Sequence, residues 1–332
     1  MTASAGRPEA QEVRARQEDV HAPVRVAATT AAPLVNAMTV DVEDWFQVAA
    51  FFDHVDRASW DARELRVERN TERLLALFAE RGITATFFVL GWVAERLPSL
   101  APRIAAAGHE IACHGWSHAL VYRQTPVQFR DETFRAKKLL EDQVGAPVRG
   151  YRASTYSITR DTQWALDVLL DAGFEYDSSI FPVRHPQYGV PGAARFPGRI
   201  ETPYRRQIVE FPLSTVKIGP ASLPVSGGGY FRFLPYALTR SGLARINRVE
   251  RQPFIFYLHP WELDPGQPRV AGAKATSRIR HYTNLDRCEA RLIRLLGDFG
   301  FGTVASVLTQ AGLLADRPTN VLPLPRVLGA AG

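Results

Sequence analysis

Cysteine is scarce: Cys113 and Cys288 are the only two in 332 residues. Two thiols are too few for a disulfide-built scaffold and fit a reducing compartment. No apolar run is long enough to cross a bilayer, and residues 1–33 hold no seven-residue apolar core of a secretory leader. The location expected is therefore the cytoplasm or the periphery of the inner membrane. Lys and Arg number 40 against 34 Asp and Glu, a formal net charge of +6. The excess is scattered arginine with no long basic run, so nucleic acid is not an expected partner. The glycine-rich stretch 226–231 lacks the lysine and spacing of a phosphate loop, and reads as tight backbone.

What is present is ordinary for a globular chain, at 46% hydrophobic and 22% charged residues. The length suits one large α/β domain or two smaller ones. Residues 1–33, rich in Ala, Arg, Glu and Pro without apolar periodicity, are expected to be a disordered tail, and 313–332 a loose one. Between them, 34–40, 83–90, 109–113, 148–152, 174–177, 208–211 and 253–258 read as strands. Helical spacing begins at Val67 and Gly82 stops it, Thr125-Pro126 opens a helix to about Val144, 159–172 is closed by Gly173, and 284–299 is the last helix. A short strand is expected at 303–304, aromatic-bearing loop at 51–66, and a Pro-, Gly- and Arg-rich surface excursion at 182–207. The alternation predicts a parallel β/α architecture. Asp41, His114, Arg152, Asp177 and His259 each fall at or just after a strand's C-terminal end. That face carries the chemistry in β/α barrels, so a barrel-like fold is expected over an open sheet.

Two clusters stand out. Asp41, Glu43 and Asp44 put three carboxylates at the end of the first apolar run. Clustered negative charge at a buried strand end is costly unless a cation joins it. A divalent metal ion serves, holding one carboxylate while another stays free as a base. His114 and His118 offer two imidazoles, and one carboxylate with two His is a common ligand set for a catalytic metal with open positions. Side chains alternate along a strand, so Asp41 and Glu43 share a face while Asp44 points away unless the strand has ended. Glu43 is the favoured ligand and Asp44 the alternative.

With these residues in hand, the chain resembles the polysaccharide deacetylases, a family with a NodB-type domain (carbohydrate esterase family 4-like). TVDVEDWFQV, GHEIACHGWSH, GYRASTYSI, YDSSIFP, LPVSGGGYFR, FYLHPWELDP and RHYTNL resemble the subgroup found with exosortase/PEP-CTERM exopolysaccharide loci. The resemblance covers roughly residues 36–310. It implies a distorted (β/α) barrel over 34–312, with a subgroup-specific C-terminal part from about 200. It also implies a metal-dependent removal of N-acetyl groups from an exopolysaccharide or its precursor. Zn2+ is the metal expected, with Co2+, Ni2+ or Mn2+ as alternatives. Asp41 matches the family's base, His114 and His118 its histidine ligands, Arg152 the arginine that orients the base, and His259 the general acid. Ser154 stands where many relatives have proline.

On this reading Asp177 is a charge partner for His259 or, with Asp44, an alternative ligand. Trp116, Tyr156 and Trp261, with Trp45, form an aromatic groove for an acetylated poly- or oligosaccharide, and Thr155 offers a backbone N–H to the oxyanion. Each residue has a plainer reading: Arg152 as a structural ion pair, the tryptophans as core, Asp177 as a turn former. His54, His109, His185 and His281 carry no assignment. Two other functions use the same scaffold: a peptidoglycan or cyclic-amide hydrolase, and a non-catalytic carbohydrate-binding domain.

Overall fold

The first strand, β1 (Val35–Val42), is buried along its length after Val35, because it has strands on both edges. The computed structural model describes residues 34–185 and 187–316, so the tail expected at 1–33 and residues 317–332 of the tail expected at 313–332 lie outside the described residues, whereas Leu313 is buried in the core rather than loose. Helix α1 (Val67–Glu80) follows β1, then β2 (Thr86–Val89), α2 (Gly91–Arg96), α3 (Leu100–Ala106) and β3 (Glu110–Cys113). Next come α4 (Pro126–Val144), β4 (Gly150–Tyr151), α5 (Trp164–Asp171) and β5 (Tyr176–Asp177). The second half holds β6 (Gly198–Glu201), β7 (Gln207–Glu210), β8 (Thr215–Ile218), β9 (Ala221–Pro224), α6 (Gly228–Phe233) and α7 (Tyr236–Arg248). It ends with β10 (Ile255–Leu258), α8 (Ala275–Tyr282), α9 (Leu285–Asp298), β11 (Gly300–Gly302) and α10 (Val304–Gln310).

One sheet runs β10-β1-β2-β3-β4-β5-β7-β6, with β11 also paired to β1. Every pairing in it is parallel except β6 with β7. The sheet closes as a distorted barrel through irregular backbone. Ile255 N donates to Ser214 Oγ, Tyr257 N donates to Ser226 O, and Gly227 bridges Tyr257. Gly227 has φ 129°, and a Cβ there would lie 1.9 Å from the Tyr257 carbonyl oxygen. Only glycine brings the two segments this close, which is the physical content of the tight backbone read at 226–231.

Local signals set the element ends. Thr125 and Gln128 form a reciprocal capping box at the start of α4, Pro126 takes its first turn, and Gly145 at φ 67° ends it. Other expectations needed correction. The excursion at 182–207 contains β6, which sits on the sheet edge by pairing with β7. The strand expected at 303–304 is instead the start of α10: Thr303 Oγ1 accepts from Ser306 N as its N-cap, and the strand is the preceding Gly-Phe-Gly of β11. The hairpin β8–β9 and helices α6, α7 and α8 were not expected from the sequence. The parallel strands run in the same direction, so their C-terminal ends share one rim, and that rim carries the polar residues.

Candidate metal and acid–base site

Each polar group reaches the rim by continuing a strand. Asp41 is the penultimate residue of β1, and Glu43 follows in a turn whose N–H donates to Asp41 O. His114 follows β3, its N–H still in the ladder to Val89 O, and Arg152 follows β4 with its N–H on Cys113 O. His259 follows β10. Asp41, Glu43, His114, His118, Thr155, Tyr156, His259 and Trp261 line one cleft with about 140 Å3 of room.

Glu43, His114 and His118 present ligand atoms that all lie within 4.8 Å of one another, and all three residues are buried. His114 Nδ1 lies 2.8 Å from Arg152 O. A carbonyl only accepts, so Nδ1 carries the proton and Nε2 keeps its lone pair. Burial pushes the His114 pKa down to about 4, against the opposing pull of Asp41, so the imidazole is neutral as a ligand requires. Trp261 Nε1 donates to Glu43 Oε1 at 3.2 Å, which leaves Oε2 for another partner. Glu43 Oε2 stands 2.6 Å from His118 Nε2 but makes no aligned hydrogen bond, and His118 Nδ1 is also without one. Burial on its own would raise the Glu43 pKa, but His118, His259 and His114 outweigh it and hold the carboxyl well below its usual range. A buried carboxylate atom without a proper donor, beside two imidazoles, fits a divalent cation.

Asp41 is not in that cluster. Its Oδ1 accepts from Arg152 Nη1 at 2.6 Å, and its Oδ2 lies 4.0 Å from His259 Nε2. Arg152 is fully buried and also donates to Thr39 Oγ1, Ser178 O and Ser178 Oγ, with its guanidinium 4.1 Å from the Phe88 ring centroid. A guanidinium locked by that many acceptors fixes the carboxylate's direction.

His259 faces the opposite charge pattern. Its Nδ1 donates to Glu262 Oε1 at 2.7 Å and its Nε2 lies 3.5 Å from Glu43 Oε1. Burial opposes its protonation, yet Glu43, Glu262 and Asp41 together raise its pKa to about 9. Glu262 is held at about 2: burial raises it, and the buried Arg232 and His259 overcome that. Arg232 Nε donates to Glu262 Oε2 at 2.6 Å and its other nitrogens donate to the carbonyls of Arg280, His281 and Thr283. Trp261 is stacked between His259 and His281, at centroid distances of 4.9 and 4.2 Å. Three of the six non-glycine residues with positive φ among those described, His118, Thr155 and Tyr156, line this cleft. A β-branched Thr at φ 55° is strained, and such strain gathers at functional sites.

Four assignments are corrected. Asp44 is no ligand: Oδ2 accepts from Arg66 N and Val67 N, and Oδ1 from Trp45 N, so it holds the start of α1. β1 has ended by then, but the turn still sends Asp44 away from Glu43. Asp177 does not charge His259; it accepts from Ser179 and shares a hydrogen bond with Glu210, its register partner on β7. Trp116 is not in the groove. It packs so closely on Gly91 that a Cβ there would lie 2.4 Å from the ring, and the Arg135 guanidinium stands 3.4 Å from its centroid. Trp45 likewise lies in the core, against Phe46. Tyr156 and Trp261 do line the cleft. The sequence reading missed Glu262 and Arg232. The signal for Glu262 was its spacing: His259 and Glu262 stand as cap and third residue of a capping box across Pro260. Arg232 had no local signal, because its partners come from remote segments.

Comparison with known proteins agrees with this architecture. Residues 47–176 match the polysaccharide deacetylase family model, and residues 178–309 match a domain of unknown function, DUF3473. The chain is 33% identical over 108 residues to a peptidoglycan deacetylase of Helicobacter pylori, covering 32% of this chain and 36% of that protein. It is 29% identical over 99 residues to a chitooligosaccharide deacetylase of a Bradyrhizobium strain, covering 30% of this chain and 43% of that protein. The chain thus spans well under half the length of these curated relatives. Among solved structures, a Mycobacterium smegmatis protein provisionally named a polysaccharide deacetylase aligns with TM-score 0.54 at 22% identity, over 88% of this chain and 96% of that one. A PuuE allantoinase aligns with TM-score 0.53 at 14% identity, over 85% and 92%. These two share the fold. Asp41 and Glu43 precede the first matched region, while His259, Glu262 and Arg232 lie in the second. Residues 47–176 are thus similar to the polysaccharide deacetylase family, and residues of the DUF3473-matched region, His259 and Arg232, line the same cleft as His114 and His118.

Proposed function

We propose that this protein is a metal-dependent deacetylase that hydrolyses N-acetyl groups on an exopolysaccharide or its precursor, with residues 34–312 acting as one catalytic unit. The observation that carries the reading is the division of labour among buried charges. Glu43, His114 and His118 converge as a ligand set, while Asp41 stays outside it, tied to Arg152. Zn2+ suits one carboxylate and two imidazoles. When bound, such an ion supplies Lewis acidity toward an acyl oxygen and makes water a stronger acid.

The chain's own residues divide the rest. Asp41, aimed by Arg152, takes the proton from the attacking water at its Oδ2 side. His259, protonated among three carboxylates, gives its Nε2 proton to the departing amine. Glu262 holds His259 Nδ1–H, so the proton to be delivered is on the cleft-facing nitrogen. The backbone N–H of Thr155 is the proposed donor to the oxyanion, a contribution of about 3 kcal/mol for a preorganised donor. Tyr156 and Trp261 provide the aromatic surface for a sugar. The subgroup associated with exosortase/PEP-CTERM loci is the source of the exopolysaccharide assignment.

The names of the curated relatives favour a second substrate, peptidoglycan, on the same site. Acetate release from chitooligosaccharides, exopolysaccharide fractions and peptidoglycan, with and without chelator, tests both. Chelator-sensitive release from glycans supports the deacetylase. Glycan binding without acetate release at any divalent metal contradicts it and leaves a binding domain.

A further inference from the structure

Two arginines line the cleft, Arg232 and Arg280, and Arg152 is buried behind Asp41; Arg152 and Arg232 are fully engaged. Arg152 is held by Asp41 and Ser178, and Arg232 by Glu262 and three carbonyls. Arg280, in the last turn of α8, is different. Among the described residues its side chain makes no ion pair, and its one hydrogen bond is Nη2 to the Tyr188 hydroxyl at 3.3 Å. It is nonetheless placed. Its carbonyl is held by Arg232 Nη2 at 3.1 Å, and its stem passes Gly229, where a Cβ would lie 3.9 Å from Arg280 Cγ.

Among the described residues, the neighbours at this end of the cleft add no negative charge. Gln187 and Tyr188 line it beside Arg280. His185 stacks on Tyr188 at a centroid distance of 3.7 Å, and burial with the Arg280 charge lowers its pKa to about 4, so it is neutral at pH 7. The guanidinium therefore offers most of its five N–H donors outward, with no carboxylate among the described residues to receive them. A planar fork of that kind matches a carboxylate through paired, charge-assisted hydrogen bonds. Arg280 and the Glu43–His114–His118 cluster line the same cleft. One oligosaccharide can therefore present an acetamido group to the cluster and a neighbouring group to Arg280.

We infer that the Arg280 end of the cleft is a subsite for a carboxylate, and that the substrate is an acidic glycan with a uronate-type residue next to the acetylated sugar. This rests on the deacetylase reading of the cleft. The test compares two tetrasaccharides of equal length. One is from hyaluronan, in which N-acetylglucosamine alternates with glucuronate, and the other is neutral tetra-N-acetylchitotetraose. The readout is the ratio of kcat/KM for the acidic over the neutral substrate. One charge-assisted contact predicts a ratio raised roughly tenfold to a hundredfold at low salt, shrinking as salt is added. Arg280→Gln brings the ratio close to that of a neutral site, chiefly through KM, and Arg280→Lys restores part of it. A wild-type ratio at or below unity, or a ratio that Arg280→Gln leaves in place, overturns the subsite. If neither substrate releases acetate, the deacetylase reading fails and binding decides the subsite. Calorimetry on metal-free protein then shows salt-sensitive binding of the hyaluronan tetrasaccharide that Arg280→Gln abolishes. Absent binding, or binding indifferent to that substitution, overturns it.

Discussion

Replacing Glu262 by Gln keeps an oxygen for His259 Nδ1–H but removes one of the three anions that raise the His259 pKa. That pKa stands at about 9 against an ordinary 6.5. An opposite charge in direct contact is worth roughly 1–3 pKa units, and Glu262 is the closest, at 2.7 Å from Nδ1. Loss of its charge should lower the His259 pKa by about 1–2 units, or roughly 1.4–2.7 kcal/mol of proton affinity. The sign follows from the role. The acid must carry its proton, so turnover falls as pH rises through its pKa, and the variant's alkaline limb moves down. A cation on Glu43 offsets part of one anion in both proteins, so the displacement between them is the quantity of interest. The assay is kcat for acetate release against pH, paired with NMR titration of the His259 ring protons in metal-free protein. Arg232 loses its partner in the variant, and breaking a buried ion pair costs about 3–5 kcal/mol, so unfolding is measured in parallel. A folded Glu262→Gln with an unmoved alkaline limb and an unchanged His259 titration would refute the assignment of Glu262 as its positioning residue.

Asp41→Asn keeps the metal but loses turnover by about 10²–10⁴-fold; full activity with normal metal content would show the base to be elsewhere. Asp44→Ala leaves metal content unchanged and costs about 1–3 kcal/mol, because the Arg66 and Val67 N–H groups lose their acceptor; denaturation with elemental analysis checks both halves. Asp177 and Glu210 share one buried site. Burial first, then their mutual repulsion, raises Glu210 well above its usual range, and burial lifts Asp177 to about 6. Raised folded pKa values mean stability that is full below the unfolded pKa and is lost as pH climbs through the folded one. The fall in stability between about pH 4 and 7 should therefore be shallower in Glu210→Gln than in wild type, and identical slopes would contradict the shared-proton pair.

Where a local pattern decides, the sequence was a good guide. β1, α1 and α4 were legible because an apolar run, a stop glycine and a Thr-Pro cap each act over a few residues. The Glu43-over-Asp44 choice was argued from strand alternation, but β1 ends at Val42 and a turn, not the strand, separates the two carboxylates. The second half resisted. Here β6, β8 and β9 are short, partly exposed strands without continuous apolar runs, and α8 buries only His281 fully. Periodicity has little to report in such elements. Asp177 was misplaced for a related reason. Sequence puts it at a strand end on the correct rim, but its direction is set by Glu210 in register on β7 and by Ser179, both tertiary facts. Trp116 sits between His114 and His118, yet its ring follows the space that Gly91 leaves open.

The most direct measurement is the divalent metal content of purified, metal-replete protein beside Glu43→Ala and His114→Ala. The account predicts about one ion per wild-type chain, as a three-ligand site holds, and far less in either variant. A wild-type chain that binds no ion, or variants that retain a full complement, would contradict it.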